Sequence, residues 1–184
     1  MPRITLVGYR GTGKSTVAAL LAARLGCGWL DADAVLEERL GTTIAALVRE
    51  RGEAAFREAE TAFLRDLLAS DVGVVATGGG VVLRPENREL IRQGGGAVVW
   101  LTAPADVIRS RLASDPTTRE RRPALSGNDP LAEVDAALAA REPLYRAVAD
   151  VVFDTSVEVP EEVAGRIAGW VSGRGKTSAP ESPA

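Results

Sequence analysis

Gly8-Tyr9-Arg10-Gly11-Thr12-Gly13-Lys14-Ser15 is the stretch that decides the fold of this 184-residue chain. It follows Ile4-Thr5-Leu6-Val7, a short apolar run ended by Gly8. It leads into Lys14 to Leu25, where Val17, Leu20, Leu21 and Leu25 form a helical stripe closed by Gly26. A strand, a glycine-rich turn with the spacing G-x-x-x-x-G-K-[ST] and a helix, in that order, is the pattern of a phosphate-binding loop. Glycines let the backbone wrap closely around phosphate oxygens, and the helix N-terminus presents free N–H groups with a partial positive charge. Gly11, Thr12, Gly13, Lys14, Ser15 and Thr16 are the candidate nucleotide contacts. Lys14 suits the β- and γ-phosphates, and the Ser15 hydroxyl suits a Mg²⁺ ion.

Working outward, Trp29-Leu30 ahead of Asp31 predicts a second short strand, and Asp33 to Leu40 and Thr43 to Arg51 predict helices broken at Gly41. Gly52 to Leu68 carries Phe56, Ala59, Phe63 and Leu67 on one stripe, a further helix. Val72 to Thr77 reads as a strand running into Gly78-Gly79-Gly80, and Pro85 opens a helix at its favoured first turn. Ala97 to Leu101 is the next strand, and Pro104 opens a helix reaching about Leu112. Ser114 to Asn128 is polar and arginine-rich, a mobile loop. Pro130 to Val148 is helical, Val151 to Phe153 is a strand and Pro160 to Val171 a final helix. Strands alternating with helices predict an α/β fold, a five-stranded parallel sheet flanked by helices in three layers. Residues 1–171 are expected to form one domain, with a lid at about 113–128, substrate-binding helices at about 33–69, and a disordered tail at 172–184. Ligands of such folds sit at the C-terminal ends of the strands, and each unusual motif falls at such an end.

Composition narrows the chemistry. Histidine is absent, which excludes imidazole acid–base catalysis, Ser-His-Asp triads and the usual zinc sites. Cys27 is the only cysteine, so no intrachain disulfide forms, and a reducing, cytoplasmic setting is expected. No apolar run reaches the length of a membrane span. The net charge of −3 speaks against nucleic acid, and the arginines of the polar loop have no aromatic residues among them. With no apolar exposed stripe evident, a monomer is expected.

A phosphate loop alone does not separate kinases from other NTPases. Val74-Val75-Ala76-Thr77 ends in glycines rather than an Asp, so Asp31 and Asp33 are the acids left to organise the metal and the acceptor. Phosphorylating an alcohol takes a carboxylate at the hydroxyl and cations around the moving phosphoryl group. Arg57 and Glu60, three residues apart, can pair on one helical face, and spacing alone reads them as a surface ion pair. Asp33 alone reads equally as a helix N-terminal acid, and the glycine triplet as a flexible strand-to-helix loop.

Taken in series, these motifs resemble the shikimate kinase family from Arg3 to about Ile167. The resemblance rests on the phosphate loop, Leu30-Asp31-Ala32-Asp33, Phe56-Arg57-Glu58-Ala59-Glu60, Gly78-Gly79-Gly80, Arg122-Pro123 and Arg141-Glu142-Pro143-Leu144-Tyr145. It implies ATP-dependent phosphorylation of shikimate, with Mg²⁺ as the cofactor. Asp33 is then the acceptor-hydroxyl ligand and candidate base, and Asp31 lies with Ser15 on the metal side. Arg57 and Arg141 grip the substrate carboxylate, a task that suits a planar guanidinium. Gly79 and Gly80 contact the substrate ring, Arg122 enters from the lid to neutralise phosphate charge, and Arg111 lies near adenine. A gluconate or nucleoside monophosphate kinase, or a non-catalytic sensing domain, are the rival readings.

The chain departs from the family in three places. Its lid is a few residues longer, with Arg119 and Arg121 crowding Arg122 as rival phosphate ligands. Arg122-Pro123-Ala124-Leu125 stands where Arg-Pro-Leu-Leu is common. Val157-Glu158-Val159 replaces a basic residue that some members place near adenine.

Overall fold

Ile4, Leu6 and Val7 are completely buried, as a run with no polar side other than Thr5 requires of a strand covered on both faces. In the computed structural model, which describes residues 3–114 and 134–174, this run is β1 (Ile4–Val7), the middle strand of a five-stranded parallel sheet. The order is β2-β3-β1-β4-β5, with β2 at Trp29–Asp31, β3 at Val74–Ala76, β4 at Ala97–Thr102 and β5 at Val151–Asp154. Ile4 pairs with Val74 on one side and Ala97 on the other. Seven α-helices are described: α1 (Lys14–Leu25), α2 (Ala32–Leu40), α3 (Ile44–Ala69), α4 (Pro85–Gly94), α5 (Ala105–Ser114), α6 (Val134–Val148) and α7 (Pro160–Arg174).

The two-residue period of the strands divides the core into layers. Ile4, Leu6, Val99 and Leu101 face α1 and α7, where Val17, Leu21, Ile167 and Val171 meet them. Val7, Val98 and Trp100 face the opposite way, toward Leu64 of α3, Ile91 of α4 and Tyr145 of α6. Val75 joins Leu36 of α2 with Phe56 and Phe63 of α3 in a third cluster at the β2 end. Arg3 ties the base together: its guanidinium donates to the carbonyls of Leu68, Ser70, Val72 and Gly94. Leu68 and Gly94 lie at the C-terminal ends of α3 and α4, where the last carbonyls have no intrahelical partner.

The alternation of elements and the three-layer sheet match expectation, with differences at element ends. β3 covers Val74–Ala76, shorter than the expected Val72 to Thr77, although the Thr77 N–H still bonds the Leu6 carbonyl. The two helices expected on either side of residues 51 and 52 are present within α3 and meet at a kink at Gly52, whose φ of 83° and ψ of 164° leave the helical region. The final helix continues through residues 172–174, expected to open the tail, with Ser172 Oγ bonding the Ala168 carbonyl. Residues 113 and 114 of the expected lid close α5. The rest of the lid, with Arg119, Arg121, Arg122 and Pro123, lies outside the described residues, as does the start of the helix expected from Pro130. Among the described residues, no helix is long and apolar enough to cross a membrane.

Candidate active site

The loop after β1 holds its shape through backbone that only glycine accepts. Gly8, Gly11 and Gly13 have φ of 145°, 79° and 83°, and a Cβ on Gly8 would stand 2.2 Å from the Leu101 carbonyl oxygen. The Tyr9 carbonyl gathers the loop, accepting from Thr12 Oγ1 at 2.7 Å and Lys14 Nζ at 2.9 Å. Lys14 is buried across the loop, while Ser15 and Thr16 stand exposed at the head of α1. Gly13 caps α1 without a side-chain bond, and no acid occupies the first turn. The N-terminal N–H groups and their partial positive charge are thus available to an anion.

Asp31 and Asp33 divide their work. Asp31 is the N-cap of α2: its Oδ1 accepts from the backbone N–H groups of Asp33 and Ala34, at 3.0 and 3.2 Å. Its Oδ2 accepts from the Ser15 hydroxyl, which places the two expected metal ligands side by side. Asp31 thus caps α2, a role the sequence reading had not assigned, while Asp33 keeps the place of a helix N-terminal acid. Asp33 sits in the first turn with its carboxylate over the glycine triplet, and a Cβ on Gly78 would lie 2.5 Å from Asp33 Oδ1.

Each glycine of the triplet makes room for a different neighbour. The Gly78 position faces Asp33 and Glu60, and that of Gly79 approaches the Arg10 backbone nitrogen of the phosphate loop. A Cβ on Gly80 would stand 2.5 Å from both terminal nitrogens of Arg57. The Gly79 carbonyl accepts from Arg141 Nη1 at 3.3 Å and from the Tyr145 hydroxyl. Arg141 in turn lies over the Tyr9 ring, 5.3 Å from its centroid. Asp33, Arg57 and Arg141 thus converge on one short buried turn that backs directly onto the phosphate loop.

Arg57 and Glu60 are not a surface ion pair. Both residues are buried, 9% and 6% exposed, with Arg57 Nη1 donating to Glu60 Oε2 at 2.8 Å. Spacing along α3 could not show that the face they share turns inward onto the glycine triplet. Arg57 also lies 4.7 Å over the Phe56 ring and bonds Glu53 one turn back. Burial pushes the Glu60 carboxyl above its usual range, and the Arg57 charge offsets only part of the shift. A raised native-state pKa means the folded chain binds that proton more tightly than the unfolded chain. Its stabilising effect is therefore complete below the ordinary value of 4.5 and is lost as pH rises through the raised value. Relative to Glu60→Gln, the wild type should lose unfolding free energy as pH climbs from about 4.5 and then level off, which urea titrations at a series of pH values would measure. A flat difference would mean that the Glu60 carboxyl binds its proton equally well in the folded and unfolded chain.

Arg111, expected near adenine, links the phosphate loop to the turn after β5. Its Nη1 donates to the Gly11 carbonyl at 3.2 Å and to Thr155 Oγ1 at 3.0 Å, and its Nη2 to the Thr155 carbonyl. An open pocket runs from Thr12 and Thr16 past Arg111 to Glu158, Pro160 and Val163. Tyr9, Tyr145 and Glu53 also belong to the site and carry no signal of their own in the sequence. Tyr145 stood in the quoted Arg141-to-Tyr145 motif without a role.

A doubly wound sheet, a glycine loop wrapping the head of its first helix, and an acid and two arginines facing that loop define an ATP-dependent kinase with a small-molecule acceptor. The chain belongs to the shikimate kinase family: the family model described as shikimate kinase matches residues 10–172. It is 44% identical to the shikimate kinase of Rhodopirellula baltica over 158 residues, covering 86% of this chain and 84% of that one. It is also 44% identical to the shikimate kinase of Halorhodospira halophila, with 94% of each chain covered. Among solved structures, the shikimate kinase of Acinetobacter baumannii in complex with shikimate superposes with a TM-score of 0.87 at 34% identity, covering 95% of this chain and 94% of that one.

Proposed function

We propose that this chain transfers the γ-phosphoryl group of ATP to the 3-hydroxyl of shikimate, giving ADP and shikimate 3-phosphate. The observation that carries the reading is the convergence of Asp33, Arg57 and Arg141 on the glycine triplet, against the loop that holds Lys14. In this reading Arg57 and Arg141 hold the substrate carboxylate, and Gly79 and Gly80 let the ring lie close to backbone. Asp33 orients the hydroxyl and takes its proton as the oxygen bonds to phosphorus and the bond from phosphorus to the β–γ bridging oxygen breaks. Lys14 and Arg122 neutralise charge on the phosphoryl oxygens, which is where electrostatic catalysis has its largest effect. Gly11, Thr12, Gly13, Ser15 and Thr16 hold the phosphates, with Arg111 at the base. Thr12 contributes through backbone, since its hydroxyl is engaged with Tyr9.

Ser15 and Asp31 are hard oxygen donors already in contact, which fits a Mg²⁺ site completed by nucleotide phosphates and water. Among the described residues no group of three or more acids, cysteines or histidines is gathered to hold a metal alone. When bound, the ion supplies charge neutralisation to the phosphates. The protein acts as a monomer in the cytoplasm, where ATP is available.

The test is ADP release with Mg²⁺-ATP in the presence of shikimate, gluconate or a nucleoside monophosphate. Stimulation by shikimate alone is expected. Stimulation by another acceptor instead would keep the kinase and discard shikimate, and ATP binding without stimulation would point to a sensing domain.

A further inference from the structure

We propose that Glu53 is a built-in stand-in for the substrate carboxylate, holding one donor edge of Arg57 until the acid displaces it and thereby setting affinity for the acceptor. The inference rests on the reading above, in which Arg57 receives that carboxylate. Arg57 Nε and Nη2 both donate to Glu53, at 3.2 and 3.0 Å, and both reach the same oxygen, Oε1. Nη1 is held by Glu60. The terminal nitrogens lie against Gly80, where a Cβ would be 2.5 Å from each. The Nε–Nη2 edge is therefore the side on which a second carboxylate would bind, and Glu53 occupies it.

Glu53 occupies that edge weakly. A carboxylate laid side-on gives each N–H its own oxygen, in two parallel charge-assisted bonds, whereas Glu53 divides one oxygen between two donors. Its side chain is 45% exposed, against 8% for Glu60, so Glu53 can swing into water where Glu60 cannot. The backbone gives it latitude, because Gly52 breaks the helical geometry immediately before it, with φ at 83°. Nor can both acids share the edge, since two carboxylates on one guanidinium side repel, with Asp33 and Glu60 adding negative charge nearby. An entering acid must therefore expel Glu53, and an acceptor without a carboxylate lacks the means to do so.

A plain helical ion pair that merely steadies Arg57 predicts the opposite effect, so the sign of one change decides. Glu53→Gln should lower the KM for shikimate, and its dissociation constant by calorimetry, by about threefold to tenfold, as expected when a competing state is removed. The KM for ATP should stay where it is. An unchanged or raised shikimate KM with an intact ATP KM overturns the proposal and leaves Glu53 as a support for Arg57. Arg57→Ala, run in parallel, separates this from the underlying reading. It should raise the shikimate KM strongly, and failure to do so would remove Arg57 from the carboxylate site whatever Glu53 does.

Discussion

Asp33→Asn should lower kcat by about 10²- to 10⁴-fold while ATP affinity stays within about twofold of the wild type. Asn keeps the size and much of the hydrogen-bonding shape of the side chain, so the loss falls on charge and proton acceptance. The fold should tolerate the change. The N-cap bonds of α2 come from Asp31, and removing one acid from the first turn costs only about 0.3–1 kcal/mol. ATP should still bind, because the phosphate loop proposed to hold it lies on the other side of the glycine triplet from Asp33. Single-turnover transfer alongside nucleotide binding separates the two effects. Near-normal turnover in the variant would remove Asp33 from both anchoring and proton transfer.

Gly8→Ala should be the most damaging glycine-to-alanine change among the described residues. The added Cβ meets the Leu101 carbonyl oxygen at 2.2 Å, and the backbone at φ 145° is strained for any L side chain. Strain of that kind costs about 1–3 kcal/mol before the clash is counted. Leu101 lies in β4, paired with both β1 and β5, so its carbonyl cannot give way without disturbing the sheet. The loop must move instead, carrying Lys14 and the head of α1 with it, and ATP affinity should fall more than tenfold. Gly26→Ala is the matched control. Gly26 also has positive φ, at 65°, yet nothing lies within 4 Å of its Cβ position. It should lose only about 1 kcal/mol of stability and keep ATP binding. Thermal unfolding and nucleotide titration of the pair measure close approach apart from backbone preference. Equal effects of the two substitutions would mean that contact with Leu101 is unimportant.

The sequence by itself determined those features whose cause lies within a few residues. The phosphate loop is contiguous because its binding groups are successive backbone N–H groups and one lysine, so strand, glycines and helix could be recognised from order alone. The apolar runs at Ile4–Val7 and Ala97–Leu101 declared buried parallel strands, and Gly26 and Gly41 stopped helices where left-handed φ is required. The motif series then placed Asp33, Arg57 and Arg141 in one family site. Only the tertiary structure decided what those side chains face. Arg57 and Glu60 show the same i,i+3 spacing whether they lie in water or in the core. Packing α3 beside β3 and the glycine triplet buried them, and that desolvation changed a surface pair into part of a site. The capping role of Asp31 and the recruitment of Tyr145 and Glu53 were decided in the same way. Each depends on distances between side chains fixed by packing, which one-dimensional spacing does not encode.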